Sequence, residues 1–364
     1  MIGGGITYYY KKRLRNKIRL QAPNSKKLSL RSFEDIKQYV QDANPKFIIN
    51  SAITAIDSDP QLALEINYLG SINLAKIAAA RRIPYIHFSS GATLPAGENI
   101  EETDQLPLKA NLSNYAKSKL MADQTLRRLA KTEGLDYTTI RLAIVYGRHD
   151  HKIQGITHLF FAVANQTMPF MMTKPKVKHS YSNARKVPFF VDHVIRNRSE
   201  YSGKVYHLVD PEPVVLSDLI LAVKKFLKVP KPRKIYIPYS SALVARGMMS
   251  RLLGLLRTVG VASRMPAEMM FLERFYQTQT LSSENLRKSS FLDPYPDSTI
   301  FKELPDILRY YIDRWHHLNL LSAKRSVKTD SDTLSRLFVS QPEKLMEEIH
   351  RQGMNSAIDD DFLR

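Results

Sequence analysis

The strongest constraint on the fold is the alternation of short apolar runs with longer amphipathic stretches in the first part of the chain. Three runs have the length and composition of buried strands: 46–50 (KFIIN), 84–90 (PYIHFSS) and 137–147 (YTTIRLAIVYG). Three stretches have helical periodicity: 32–42, 62–82 and 115–133. Strands that alternate with helices predict an α/β fold with a doubly wound parallel sheet, whose functional site lies at the carboxyl ends of the strands.

Composition excludes several classes of protein. Cysteine is absent, which rules out disulfide scaffolds, thiolate zinc sites, iron–sulfur clusters and cysteine nucleophiles. The sequence has no long uncharged apolar run and no signal-peptide pattern, so we expect a cytoplasmic protein. The formal net charge is +19, and the segments 1–30 and 219–267 contain no acidic residue. This charge favours an anionic partner. No nucleic-acid-binding motif accompanies it, so we do not expect that partner to be a nucleic acid.

Tyr115 and Lys119 lie four residues apart at the start of a predicted helix, so their side chains project from one face. An ammonium near a phenol lowers the phenol pKa from about 10, which lets the phenol exchange a proton with a substrate hydroxyl or carbonyl. Ser89 and Ser90 end an apolar run, where a hydroxyl faces the crevice. The structural alternatives are a solvated lysine beside a half-buried tyrosine and a serine that caps a helix or turn.

Five segments occur in a specific order: KFIINSAITA, INYLGSINLAKIAAA, YIHFSSGATL, NYAKSK and IRLAIVYG. Together they resemble the extended short-chain dehydrogenase/reductase superfamily of the NAD-dependent epimerase/dehydratase type, over roughly residues 28–147. The resemblance implies that Ser90 polarises the substrate, that Tyr115 is the acid/base, and that Lys119 steadies the phenolate and a cofactor ribose. The Ser90, Tyr115 and Lys119 set is therefore the predicted catalytic group.

The resemblance also implies a binding site for a nicotinamide dinucleotide. The residues that would line it, besides Tyr115 and Lys119, are Gly4, Ser51, Ala52, Ile53, Asn67, Ser89, Ile144 and Val145. The chain then divides into a dinucleotide-binding Rossmann-like domain at 1–147 and a smaller, partly interleaved substrate-binding region at 148–320. A polar linker and helical tail follow at 321–364.

The N-terminus departs from the family pattern, which opens with a strand and a glycine-rich phosphate-binding turn. Here the sequence starts in what would be the middle of that turn, with Gly4 in the second glycine position and Thr7 in the third. We expect the first strand to be incomplete. Either the protein has lost this strand, or the natural start lies upstream of Met1.

The choice between NAD and NADP depends on the end of the second strand, for which the candidate is 17–23 (KIRLQAP). An NAD enzyme needs a carboxylate there, but the first acidic residue of the chain is Glu34. Arg19, Lys26 and Lys27 would suit a 2′-phosphate. We therefore favour NADP over NAD.

Segment 243–259 (LVARGMMSRLLGLLRTV) is apolar with a narrow polar stripe and lies in an acid-free block. It predicts either packing over a substrate pocket or an interfacial helix that contacts a membrane peripherally. A hydrophobic substrate of the sterol or lipid type and a nucleotide sugar both remain open.

The histidines at 149, 151, 316 and 317 come without a further ligand cluster, so no metal site is predicted.

Two functions are expected from the sequence. The first is an NAD(P)-dependent oxidoreductase or epimerase/dehydratase-like enzyme that acts on a small molecule at a hydroxyl or carbonyl carbon. The alternative is a catalytically inactive dinucleotide-fold protein with a binding or regulatory role, which the incomplete first strand favours. A homodimer is left open.

Overall fold

The computed structural model of the protein describes residues 1–13, 18–166, 171, 173–230, 236–258, 272–321 and 338–352. The helices are α1 (Ile2–Arg13), α2 (Phe33–Ala43), α3 (Pro60–Leu62, continued by the π-helix Ala63–Gly70 and by Ser71–Ala80), α4 (Asn114–Glu133), α5 (Ile156–Ala164), α6 (Val187–Arg196), α7 (Arg198–Tyr201), α8 (Leu216–Phe226), α9 (Tyr239–Thr258), α10 (Leu272–Tyr276), α11 (Glu284–Arg287), α12 (Ile300–His317) and α13 (Pro342–Gln352). The strands are β1 (Ile48–Asn50), β2 (Tyr85–Ser90), β3 (Gly97–Ile100), β4 (Tyr137–Leu142), β5 (Ile144–Tyr146), β6 (Lys178–His179), β7 (Tyr181–Asn183), β8 (Lys204–His207), β9 (Val214–Val215) and β10 (Gln279–Leu281).

The central sheet is parallel and has the strand order β1-β2-β4-β8. Successive side chains of a strand point to opposite faces, and β2 shows this directly. Tyr85 packs in one apolar core with α2, α3 and α4, whereas Ile86 and Phe88 pack in another with α1 and α6. Helices therefore cover both faces, and the predicted doubly wound Rossmann-like fold is confirmed.

Local sequence signals fix where the helices around the site begin and end. Ser113 caps α4, its side chain accepting a hydrogen bond from Ala116 N, and Gly134 ends the helix in a left-handed conformation at φ 66°. Ser32 caps α2 in the same manner by accepting from Asp35 N. Such a cap stabilises a helix by about 1 kcal/mol. The cap at Ser113 places Tyr115 in the first turn of α4, beside the end of β2.

Two predictions about the N-terminal part and the sheet were wrong. Residues 18–23 of the segment KIRLQAP form no strand, and most of their side chains are exposed, so they have no apolar face to bury against a sheet. The run 137–147 is two strands: β4 joins the central sheet, but β5 pairs with β7 in a separate two-stranded sheet. Within the described residues, β1 is thus one of the two edge strands of the central sheet, with β8 at the other edge.

The C-terminal part builds a second core around α5, α8 and α12, which contains Phe160, Leu219 and Trp315. A second four-stranded sheet of order β3-β10-β6-β9 lies in this part, and it takes β3 from the N-terminal portion of the chain. Among the described helices, none is long and apolar enough to cross a membrane. Segment 322–337 lies outside the described residues, and the predicted helical tail forms α13, which begins at Pro342.

Candidate active site

Ser90 and Tyr115 meet at the carboxyl end of β2. Ser90 is the last residue of the strand, and its Oγ accepts a hydrogen bond from Ala92 N at 3.2 Å, so the serine also caps the following turn. Tyr115 is buried, and burial raises the pKa of its phenol. A side-chain hydrogen bond from Ser90 lowers that pKa, while the charge of Asp123 raises it further. The phenol is therefore protonated at neutral pH and is in contact with the predicted serine.

Lys119 lies on the same face of α4, one turn after Tyr115, and is buried rather than solvated. Its Nζ donates a hydrogen bond to the carbonyl oxygen of Phe88 at 2.9 Å. Burial lowers the pKa of Lys119 to about 8, and the negative charge of Asp123 acts in the opposite direction. The structural alternative of a solvated lysine is thus excluded, and the buried amine stays mostly protonated at neutral pH.

Ser51, Ala52 and Ile53 form the turn that follows β1. Ala52 N donates to Asn50 Oδ1 at 3.1 Å, which starts the turn, and Ile53 is 44% exposed. Asn67, in the π-helical part of α3, is fully buried and holds the end of this turn. The Asn67 amide also donates to Ser118 Oγ at 3.3 Å and so connects the turn to α4. The sequence-predicted residues of this turn are therefore brought to the helix that carries Tyr115.

The three consecutive glycines belong to α1, which begins at Ile2. A Cβ on Gly3 would lie 2.6 Å from Ser51 Oγ, so a larger residue at this position would force the Ser51 hydroxyl to move. Around a Cβ built on Gly4, by contrast, the space within 4 Å is open. The N-terminal turn of α1 thus lies against Ser51, whereas Gly4 is exposed.

The other predicted cofactor residues lie outside the turn that follows β1. Ile144 and Val145 are half-buried on β5, which continues from the carboxyl end of β4. Ser89, next to Ser90, points to the opposite face and donates to Asp123 Oδ2 at 2.7 Å. The basic residues proposed for a 2′-phosphate, Arg19, Lys26 and Lys27, are exposed and sit in an irregular segment.

Comparisons with known proteins identify the family of the chain. The profile of the NAD dependent epimerase/dehydratase family matches residues 6–194, more than half of the chain. The chain belongs to the NAD dependent epimerase/dehydratase family. Its membership confirms the resemblance that the ordered sequence segments indicated.

Among curated proteins, the chain is similar to methionine adenosyltransferase 2 subunit beta of Xenopus laevis, with 30% identity over 129 residues. The match spans 34% of this chain and 37% of that relative, so the chain covers only about a third of the relative's length.

Several solved structures share the fold of this chain at low sequence identity. A dTDP-glucose 4,6-dehydratase from Bacillus anthracis in complex with NAD has a TM-score of 0.61 and 13% identity, covering 87% of this chain and 94% of that one. A dTDP-4-dehydrorhamnose reductase from the same organism in complex with NADP has a TM-score of 0.57 and 16% identity, covering 85% and 94%. These likenesses show the fold alone.

Sequence reasoning missed a group of buried polar side chains behind the catalytic pair. Asp123 accepts hydrogen bonds from Ser89 and from Arg141 Nη2, the latter at 3.1 Å. Arg141 Nη1 lies 3.1 Å from His207 Nε2 and donates to the carbonyl oxygen of Glu102 at 3.1 Å. One signal was available: Asp123 follows Tyr115 by eight residues and therefore lies on the same face of α4.

Proposed function

We propose that the protein is an NAD(P)-dependent oxidoreductase or epimerase/dehydratase-like enzyme that acts at a hydroxyl or carbonyl carbon. The observation that carries this is the contact between Ser90 and the Tyr115 phenol at the carboxyl end of β2, with Lys119 one helical turn away. When bound, the nicotinamide dinucleotide supplies the hydride acceptor or donor. Membership of the family and the names of the solved relatives support a nucleotide sugar as substrate, and a sterol or lipid alcohol is the other class to test.

Tyr115 handles the proton in this proposal. Because burial raises its pKa, the phenol holds its proton at neutral pH and can donate it to the oxygen of a carbonyl substrate. The Ser90 hydroxyl donates a hydrogen bond that stabilises the resulting phenolate, and the Lys119 ammonium adds a positive charge nearby. In the reverse direction the same phenolate accepts the proton of a substrate hydroxyl.

The cofactor would lie along α1 and the turn after β1. The open space at Gly4 would receive the pyrophosphate, and Ser51, Ala52 and Ile53 would contact the dinucleotide, with Asn67 holding that turn in place. Ile144 and Val145 would approach the nicotinamide. We favour NADP over NAD, since Arg19, Lys26 and Lys27 are exposed cations and the nearest acidic residue in the sequence is Glu34.

The proposal is tested with the variant Tyr115→Phe, which removes the phenolic hydroxyl and keeps the ring. Purified protein is supplied with NADPH or NADH, or with their oxidised forms, together with dTDP-glucose, UDP-glucose and a sterol alcohol. Nicotinamide absorbance at 340 nm reports net oxidation or reduction, and chromatography of the sugar nucleotides reports epimerisation or dehydration, which regenerate the cofactor in each turnover. Wild-type protein should turn over at least one of these substrates. Tyr115→Phe should lose at least about 100-fold in kcat while its affinity for the cofactor is unchanged. Retained turnover would exclude Tyr115 as the acid/base.

A second candidate function is a binding or regulatory subunit without catalysis of its own. The similarity to a protein named as a subunit of methionine adenosyltransferase favours it, as does the absence of a strand before β1 among the described residues. Wild-type protein that binds NADPH yet turns over none of the substrate classes would support this candidate. Co-purification with a methionine adenosyltransferase catalytic subunit, unaffected by Tyr115→Phe, would be the positive result.

We also propose that the segment 243–259 contacts membranes peripherally. The structure describes residues 243–258 of this segment. Val244, Met248, Leu252 and Leu255 are all more than half exposed, and their spacing puts them on one side of α9. Arg246 and Arg251 are on the same helix, in a block without acidic residues. An exposed apolar stripe with nearby cations suits the headgroup region of an anionic bilayer.

A further inference from the structure

A buried polar network lies between α4 and the central sheet. Its side chains come from β2, β4, β8 and α4 and are all less than about a tenth exposed: His87, Ser89, Asp123, Arg141 and His207. Parallel sheets are usually covered by apolar side chains on both faces. Burying a polar or charged group costs free energy unless a partner compensates it. Apolar packing alone therefore does not account for these residues.

Asp123 connects the catalytic helix to two strands. Tyr115, Lys119 and Asp123 are spaced four residues apart and form one line along α4. The Asp123 Oδ2 atom accepts from Ser89 Oγ at 2.7 Å and from Arg141 Nη2 at 3.1 Å. Ser89 and Arg141 are themselves paired in register across β2 and β4. The Asp123 carboxylate thus fixes the position of α4 along the sheet. It does so through Ser89, the residue that precedes Ser90.

The charges around Lys119 come from three elements. Asp123 lies on its own helix, the uncharged His87 lies on β2, and the Arg141 cation lies on β4. His87 stays neutral because burial, and then the charges of Lys119 and Arg141, hold its pKa well below its usual value. Asp123 therefore supplies the negative charge that opposes the effect of burial on the Lys119 ammonium.

We propose that Asp123 is a positioning residue for the Tyr115 and Lys119 pair. Its carboxylate sets the face of α4 against the strand that ends in Ser90, and it keeps the buried Lys119 amine in its charged form. The catalytic meaning of this role rests on the proposed function. The contacts and the protonation state of Lys119 are measured without turnover, so the two proposals fail separately.

The first experiment measures the charge on Lys119. Protein labelled with ¹³Cε-lysine is titrated by NMR between pH 6 and 10, and the Lys119 signal is assigned from its absence in Lys119→Met. Asp123→Asn should move the Lys119 midpoint down by about one pH unit, because an opposite charge has been removed. The matched control is Glu133→Gln, which removes an exposed carboxylate from the same helix and should leave the midpoint in place. Asp123→Glu keeps the charge and should restore the wild-type midpoint.

The second experiment measures the position of the helix without changing any charge. Ser89→Ala removes the 2.7 Å hydrogen bond to Asp123, and the matched control Thr132→Ala removes an exposed hydroxyl that bonds within α4. In protein labelled with ¹³Cζ-tyrosine, the Tyr115 signal, assigned from Tyr115→Phe, should shift in Ser89→Ala and stay in Thr132→Ala. If Asp123→Asn does not fold, this second experiment tests the positioning role by itself.

A folded Asp123→Asn protein with an unchanged Lys119 midpoint would overturn the charge role. An unmoved Tyr115 signal in Ser89→Ala would overturn the positioning role. A lower melting temperature with neither change would show that Asp123 only stabilises the fold.

Discussion

The Asn67 side chain holds Thr54 with both ends of its amide: Oδ1 accepts from Thr54 N at 3.0 Å, and Nδ2 donates to Thr54 Oγ1 at 2.9 Å. Asn67 is fully buried, and Thr54 ends the turn that follows β1. The turn therefore depends on one side chain of α3, thirteen residues later in the chain.

Replacing Asn67 by Ala should destabilise the protein and weaken cofactor binding together. The variant leaves the buried Thr54 N–H without its partner, which costs about 1–3 kcal/mol of the free energy of unfolding. Urea unfolding and titration with NADPH measure the two effects. The exposed Asn111→Ala is the control and should change neither quantity. Unchanged NADPH affinity in a destabilised Asn67→Ala protein would remove the turn from the proposed cofactor site.

Acidification should destabilise the protein in the range where buried histidines remain neutral. Burial, and then the charge of Arg141, lower the pKa of His207 to about 3, whereas in the unfolded chain it is near 6.5. Between these values the unfolded state binds a proton that the folded state does not, so stability falls as the pH decreases from about 6.5. The contribution of His207 is at most about 1.4 kcal/mol per pH unit.

The urea midpoint at pH 7.5, 6.5 and 5.5 checks this prediction. His207→Gln should be less stable at pH 7.5, because its bond to Arg141 is altered, but its midpoint should decline less steeply with pH. The exposed His317→Gln should keep the wild-type slope. A slope in His207→Gln equal to that of wild type would show that His207 is protonated in the folded state.

The preference for NADP should depend on Lys26 and Lys27. The double variant Lys26→Gln/Lys27→Gln should weaken NADPH binding about 10-fold, because two cations near the 2′-phosphate are lost, and should leave NADH binding unchanged. Fluorescence titration with both nucleotides measures the difference, and Lys46→Gln serves as an exposed control. If the double variant binds NADPH and NADH more weakly to the same extent, these lysines contact another part of the cofactor. If the wild-type protein binds NADH more tightly than NADPH, the proposed preference is reversed.

Helix α9 should bind anionic vesicles in a salt-sensitive manner. Each basic residue near such a surface contributes about 1 kcal/mol, and the attraction decays over about 8 Å at physiological salt. Wild-type protein should co-sediment with phosphatidylserine vesicles at low salt and less at high salt. Arg251→Glu/Leu252→Glu should abolish binding, while Lys204→Glu, an exposed residue of β8, should not. Undetectable binding of wild type at low salt would leave α9 as a helix of the substrate region.

The elements that sequence predicted well are those with local causes. The helical periodicity of 32–42 and 115–133 predicted α2 and α4 within one residue of their observed starts, which are capped by Ser32 and Ser113. The same periodicity put Tyr115 and Lys119 on one helix face, and Ser90 at the end of a strand. The order of these elements was sufficient to predict the parallel sheet and the family.

Contacts between residues far apart in the chain decided the rest. The sequence contains no local signal for β5 to leave the central sheet, because its partner β7 lies 37 residues further along the chain. It did not show that residues 18–23 lack a strand, since a strand forms only where a neighbouring edge pairs with it. Ser89 and Asp123 are 34 residues apart, and Arg141 and His207 are 66 apart. Local periodicity can assign a side chain to a face, but only the packing of that face determines which charge it meets there and how far burial shifts the pKa of Lys119.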